Sequence, residues 1–138
     1  MEQVRGIRCW LLLILPALLL FGCGKAGKEE QERSAVDFTV VEERKLPEAL
    51  FQVIAENREN EIRMTYEDGE VLYLVRGYGR QKTGGYSISV TECAEDADAV
   101  YLSTKLAGPS EQEHLPEDPS YPYIVVMIEA REKDVNIE

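Results

Sequence analysis

The chain contains one histidine, His114, in the polar, proline-rich stretch EQEHLPED. A hydrolase needs a nucleophile, a general base and a group that orients the base. Ser87 and Ser89 lie on the polar face of an alternating stretch, and no serine sits in a nucleophile-elbow pattern. Cys93 ends that stretch, where a lone cysteine is usually a packing residue, and neighbouring carboxylates disfavour its thiolate. One histidine and one such cysteine cannot form a zinc site. We therefore expect no catalytic residue, no metal ion and no cofactor, and a protein that is not an enzyme.

The acidic run ECAEDADA at 92–99 is a second candidate for chemistry. Its carboxylates could bind Ca²⁺ weakly, but the run lacks the Asp-x-Asp-x-Asp-Gly spacing of a calcium loop. No spacing singles out a carboxylate pair of the kind that glycosidases use. A solvated acidic connection is the favoured interpretation of these four residues: Glu92, Glu95, Asp96 and Asp98.

The charge balance limits the possible partners. The 138 residues include 26 acidic and 15 basic side chains, which gives a formal net charge of −11. Such a chain is repelled by phosphate backbones and by anionic lipid surfaces. We therefore exclude nucleic acid as a partner, and any membrane contact must come from another source.

The N-terminus supplies that source. Arg5 and Arg8 precede an apolar run over 9–21, which is the pattern of a secretory signal and is short for a bilayer span. The run ends in Leu-Phe-Gly-Cys, which resembles the bacterial lipobox. The resemblance implies a signal peptide over 1–22 and diacylation of Cys23, whose two acyl chains would anchor the protein. It places the protein at the extracytoplasmic face of a bacterial cell membrane. An uncleaved anchor or a plain secreted protein is the alternative.

Periodicity predicts the elements that follow. Residues 23–35 have no apolar pattern and predict a flexible tether, and 36–138 predict a single domain. Alternating apolar positions predict a strand over 36–44, and i, i+3, i+4 spacing predicts an amphipathic helix starting near Pro47. Asp68-Gly69 predicts a hairpin turn with Tyr66 opposite Val71 and Met64 opposite Tyr73. Further strands are predicted over 71–75, 86–92, 100–107, 123–130 and 133–138, with 71–75 and 123–130 apolar on both faces and hence central. The fold class is mostly β (α+β), a small antiparallel sandwich or open barrel with one packed helix.

The glycine-rich stretch GYGRQKTGGYSISV (77–90) connects two of these strands. A phosphate loop would lead into a helix, and this stretch leads into a strand, so phosphate binding is excluded. A wide hairpin is the simplest interpretation. The alternative is a protein-binding edge, since tyrosine and cations are presented together.

A resemblance favours the second interpretation. YLVRGYGRQKTGGYSISV, then LAGP (106–109), then SYPYIVVMIE (120–129) resemble the C-terminal domain family of the PrcB protease-complex subunit, from about Tyr73 to Glu129. The resemblance implies an exported accessory or protein-binding domain, a subunit or regulator of an extracellular protease complex. It also implies that the TGGY and SYPY segments lie close together. The candidate partner-binding residues are Tyr78, Thr83, Gly84, Gly85, Tyr86, Tyr121 and Tyr123. A direct protease inhibitor acting through the Thr83–Tyr86 loop is the alternative function.

Overall fold

The structure is a computed structural model that describes residues 32–111 and 114–138. The described residues form two four-stranded sheets and one α-helix, an α+β sandwich that does not close into a barrel, which confirms the predicted fold class. Sheet A has the strand order β1-β5-β6-β8 and sheet B the order β2-β7-β4-β3. The strands are β1 (Ser34–Ala35), β2 (Thr39–Val40), β3 (Glu61–Asp68), β4 (Val71–Tyr78), β5 (Ser87–Glu95), β6 (Ala99–Ala107), β7 (Tyr123–Glu129) and β8 (Asp134–Ile137).

The core has two layers, one on each face of sheet B. Leu72 and Leu74 of β4 point between the sheets, whereas Tyr73 and Val75 point towards the helix, because side chains alternate along a strand. β7 alternates in the same way, so both strands are central and covered on both faces, as predicted. Cys93 is buried in the layer between the sheets, and burial raises the pKa of its thiol. Its expected packing role is confirmed.

Helix α1 (Glu48–Asn57) begins directly after Pro47 and covers the outer face of sheet B. Leu50 and Ile54, one turn apart, are fully buried there. Val53 lies three positions after Leu50, a spacing that predicts the same packing face, yet it is exposed together with Phe51. The buried stripe of this helix is therefore narrower than its sequence predicts.

The predicted strand over 36–44 is wrong. The chain crosses between the sheets instead, with β1 pairing with β5 in sheet A and β2 pairing with β7 in sheet B. Val36 is buried, but Phe38 and Val40, which share its alternating face, are exposed. A strand that changes sheets cannot keep one face against a single core. β1 also lies inside the predicted tether, so the folded part begins before residue 36.

The β3–β4 hairpin is confirmed, but its predicted register is wrong. The turn residues are Gly69 and Glu70, with Tyr66 opposite Tyr73 and Met64 opposite Val75. Gly69 has a positive φ of 64°, which glycine tolerates at the first position of a two-residue turn. The error shifts the pairing by two residues and therefore leaves every side chain on its predicted face.

Two predicted connections differ. The glycine-rich stretch is no hairpin, since β4 belongs to sheet B and β5 to sheet A. The acidic run 92–99 is mostly strand: β5 continues to Glu95 and β6 starts at Ala99. The predicted last strand is present as β8 at the edge of sheet A, where it runs parallel to β6. Cys23 and the predicted signal peptide lie outside the described residues.

Among the described residues, no helix has the length and apolar character needed to cross a lipid bilayer.

Candidate functional site

The glycine-rich segment is fixed to the segment that precedes β7. Gln81 and Ser120 exchange backbone hydrogen bonds of 2.8 and 3.1 Å, and the Ser120 hydroxyl donates to the Thr83 carbonyl at 2.6 Å. The backbone N–H of Tyr78 donates to the Pro122 carbonyl at 3.0 Å. The TGGY and SYPY segments therefore lie together, as the family resemblance implied.

The aromatic side chains of this segment are not freely presented. Tyr78 is half-buried at the end of β4, where its hydroxyl shares a hydrogen bond with that of Thr104 on the other sheet. The Arg76 guanidinium lies 4.0 Å from the Tyr78 ring centre. Tyr86 is also half-buried, with its ring beside the backbone of Gly108.

The small residues of the loop are held by their neighbours. Thr83 and Gly84 are half-buried, and Pro116 lies beside Gly84. Gly85 is exposed and has a φ of 84°. The loop is thus a braced connection between the sheets whose exposed charges are Arg80 and Lys82.

Tyr121 and Tyr123 lie on a different surface, beside the helix. With Phe51, Ile54, Ala55, Arg58 and Glu43 they line a groove of about 280 Å³. A second hollow of about 310 Å³ is also lined by the two tyrosines, together with Val40, Val41 and Pro122. Because both hollows share Glu43, Tyr121 and Tyr123, we treat them as one surface and call it the aromatic groove.

Charged neighbours fix the rings of the aromatic groove. The Arg58 guanidinium lies 4.3 Å from the centre of the Tyr121 ring, a cation–π contact. The Tyr123 hydroxyl donates to the Glu43 carboxylate at 2.7 Å. Burial, and then this hydrogen bond, raise the pKa of Tyr123 far above its usual value, so the side chain is neutral at physiological pH. The groove therefore presents two tyrosine rings that are each held by a charged neighbour.

Sequence patterns did not identify the helix side of the aromatic groove, which Phe51 and Arg58 form. Its apolar stripe predicts packing, and Phe51 is an aromatic residue that lies off that stripe on the exposed side. An exposed aromatic residue on a helix of this kind is the signal that could have found it. Arg58 and Glu43 carry no local signal, since their contacts are with residues more than sixty positions later in the chain.

The acidic candidates are engaged within the domain. Glu92 pairs with Arg33 at 2.8 Å, and Glu95 contacts Arg131 at 2.6 Å and Lys133 at 3.1 Å. Within residues 32–111 and 114–138, no group of three or more His, Cys, Asp or Glu side chains could hold a metal ion. His114 is exposed.

Asp96 closes the β5–β6 turn. It accepts the N–H groups of Asp98 and Ala99 and the hydroxyl of Tyr101, and these three bonds lower its pKa. The acidic run is therefore a structural hairpin end rather than a solvated connection.

The fold and the groove define a small two-sheet sandwich that displays an aromatic surface beside its one described helix. Residues 72–129 match the family model described as PrcB C-terminal, which confirms the family resemblance over that segment. The match covers β4 to β7, including the braced loop and the tyrosine half of the aromatic groove, but not α1. No curated protein and no solved structure gave a match to the chain.

Proposed function

We propose that this protein is a lipid-anchored accessory module of the bacterial cell envelope, without catalytic activity, that binds a partner protein of an extracellular protease complex. The family match supports the link to a protease complex. The aromatic groove is the observation that carries the binding role. The lipobox-like end at Cys23 supports the anchor, and the acyl chains would supply the membrane contact.

The groove has the composition of a protein-binding hot spot. Tyrosine, tryptophan and arginine dominate binding energy at interfaces. The aromatic residues among them bury a large area with few rotatable bonds. Tyr121 and Tyr123 are already immobilised by Arg58 and Glu43, so a partner that covers them loses little further side-chain entropy. Phe51 is 40% exposed at the rim and supplies apolar area that binding would bury.

The anchor limits where the partner can be. Cys23 and Arg33 are ten positions apart, and Arg33 is already attached to the domain through Glu92. A segment of that length spans at most about 35 Å when fully extended. In the anchored protein, Arg33 therefore stays within about 35 Å of the membrane surface.

The test compares two phenylalanines of nearly equal exposure. Phe51 lies in the aromatic groove at 40% exposure, whereas Phe38 lies at another hollow at 42% exposure. The full-length lipoprotein carrying Phe51→Ser or Phe38→Ser is cross-linked on intact cells, purified, and compared with the parent for recovery of an envelope protease. We expect Phe51→Ser to abolish recovery and Phe38→Ser to retain it.

Other outcomes overturn the proposal. Equal recovery with both variants removes the groove from the interaction. Loss with Tyr86→Ala alone, together with inhibition of the purified protease by the parent, would establish the inhibitory loop instead. Turnover of a substrate by the purified protein would contradict the non-catalytic role.

A further inference from the structure

Strand β5 has an uncovered edge. β1 reaches only Ala94 and Glu95, and the next contact on that side is the hydrogen bond from the Val36 N–H to the Cys93 carbonyl. No described strand pairs with the outer side of Ser87–Thr91, which we call the free edge. β6 covers the other side of β5 along its whole length, interrupted by a bulge at Thr91. The free edge therefore lies between Tyr86 and the part of β5 that β1 covers.

The backbone groups of Ile88 and Val90 point out from this edge. Val90 lies opposite Thr104 of β6, and the Thr104 N–H donates to Glu138 on the far side of β6. Two residues opposite each other in an antiparallel ladder either exchange both backbone hydrogen bonds or exchange neither. Because the Thr104 N–H points away from β5, the N–H and C=O of Val90 point away from β6. The alternation then turns the N–H and C=O of Ile88 outwards as well. These groups are the hydrogen-bonding template of an open sheet edge.

The free edge lacks the charges that protect such edges. Ser87, Ile88, Ser89, Val90 and Thr91 are all uncharged and contain no proline. The outer strand β3 of sheet B, in contrast, carries Glu61, Arg63, Glu67 and Asp68. At the remaining edges, β8 has four residues including Asp134, and β2 has two residues. Charged and short edge strands resist pairing with another chain, so the free edge is the one suited to it.

Its sequence is complementary to itself. An antiparallel partner centred on Ser89 places Ile88 opposite Val90, Ser87 opposite Thr91, and Ser89 opposite its own copy. Ile88 and Val90 are partly buried on the core side, so the two chains would cover each other's apolar rims. The exposed side would pair hydroxyl with hydroxyl, and no like charges would meet within the paired stretch.

We propose that the free edge binds a second copy of this chain, forming a two-fold symmetric dimer whose A sheets join as one continuous eight-stranded sheet. The two-fold axis passes beside Ser89. Ile88 and Val90 of each copy exchange hydrogen bonds with Val90 and Ile88 of the other, about four bonds in all. The inference is independent of the aromatic groove and of the proposed protease partner.

Cysteine cross-linking tests the register. The N–H and C=O of Ser89 point towards β6. In the dimer, Ser89 of one copy therefore lies opposite Ser89 of the other as a non-hydrogen-bonded pair, and their two Cα atoms are about 4.5 Å apart. That separation suits a disulfide. The full-length protein with Ser89→Cys and Cys93→Ala should form a disulfide-linked dimer on mild oxidation. Ser87→Cys in the same background is the matched control, because residue 87 faces residue 91. Cys93→Ala alone gives the background from the remaining cysteines. Equal cross-linking by both variants, or none above the background, overturns the proposed pairing.

A charge substitution tests the interface without altering the fold. Ser89 and Thr65 are both exposed strand residues, Thr65 on β3 in the other sheet. Ser89→Lys would place two ammonium groups opposite each other at the axis, and we expect it to weaken dimerisation by about tenfold or more. Thr65→Lys should leave dimerisation unchanged. Sedimentation equilibrium of the full-length protein in density-matched detergent measures both. A monomeric parent at all concentrations overturns the proposal, as does a Ser89→Lys variant that dimerises like the parent.

Discussion

Arg76 is the one charged side chain that the described part of the chain buries, with 5% of its surface exposed. It points between the sheets at the end of the core, beside the Tyr78 ring. One guanidinium nitrogen donates to the Gly77 carbonyl and lies 3.7 Å from the half-exposed Glu61, but its Nε has no partner. For a buried charge with incomplete hydrogen bonding, the free energy lost on dehydration exceeds the free energy gained from its contacts in the protein.

We therefore expect Arg76→Met to be neutral or to raise the free energy of unfolding by about 1–2 kcal/mol. Methionine fills most of the same volume and keeps a favourable sulfur contact with the Tyr78 ring. Arg76→Ala is the control, and it should lower stability by about 2–4 kcal/mol because it leaves a cavity. Urea unfolding measures both. Equal destabilisation by the two variants would show that the contacts to Gly77 and Glu61 outweigh the lost hydration.

Asp96 gives a prediction of pH dependence. Its pKa is lowered from an ordinary value of 3.8 by hydrogen bonds from the Asp98 and Ala99 N–H groups and then from the Tyr101 hydroxyl. Since the folded state binds this proton more weakly than the unfolded state, the stabilisation is present above pH 3.8 and is lost as the pH falls through the folded pKa. Asp96→Asn should be less stable than the parent at pH 7, and the two urea midpoints should converge as the pH falls towards 2. Midpoints that stay parallel over this range would contradict the assignment.

Two glycines with positive φ differ in the space around them. Gly69, in the β3–β4 turn, has a φ of 64° and open space where a Cβ would be. Gly79, just after β4, has a φ of 73°, and an added Cβ would lie 3.1 Å from the Glu59 carbonyl oxygen. That oxygen accepts the Arg80 N–H, so it is held in place and cannot move aside freely.

Gly79→Ala should accordingly cost about 3 kcal/mol, because backbone strain and a close contact with fixed backbone add together. Gly69→Ala should cost about 1 kcal/mol, since it introduces the strain alone. The comparison is made by thermal or urea unfolding of the two variants. Equal losses would mean that the chain after β4 shifts easily, and that the connection between the sheets is less rigid than its hydrogen bonds indicate.

The elements that a local sequence pattern specifies could be predicted. The pairings that depend on residues far away in the chain could not. The β3–β4 hairpin follows from Asp68-Gly69 between two apolar runs, and the central position of β4 follows from apolar residues on both faces. Whether β4 pairs with β5 depends on which sheet each strand joins. No local sequence pattern in the glycine-rich stretch contains that information. The aromatic groove shows the same limit. Tyr121 and Tyr123 stood out in sequence, but Phe51 reaches them only through the packing of α1 on sheet B.

The whole domain draws its core from more of the chain than the family match covers. The described residues, 32–111 and 114–138, form one compact unit, whereas the match spans 72–129. The layer under the helix takes Leu50, Ile54 and Ile62 from outside the match. β3 pairs with every residue of β4, and β8 closes the edge of sheet A beside β6. The matched segment alone would expose one face of sheet B and leave only two strands in each sheet.

The isolated segment 72–129 should therefore fail to fold by itself, while residues 31–138 should unfold cooperatively. Small domains have little surplus stability, and removing the buried side chains of Leu50, Ile54 and Ile62 together with the four paired strands β1, β2, β3 and β8 exceeds it. Near-ultraviolet circular dichroism and urea titration of the two fragments make the comparison, with the summed tyrosine signal as the measure of tertiary structure in both. If residues 72–129 alone gave a cooperative transition, the matched strands would constitute an autonomous unit. The helix would then be an attachment to that unit, and its half of the aromatic groove could be removed without loss of the fold.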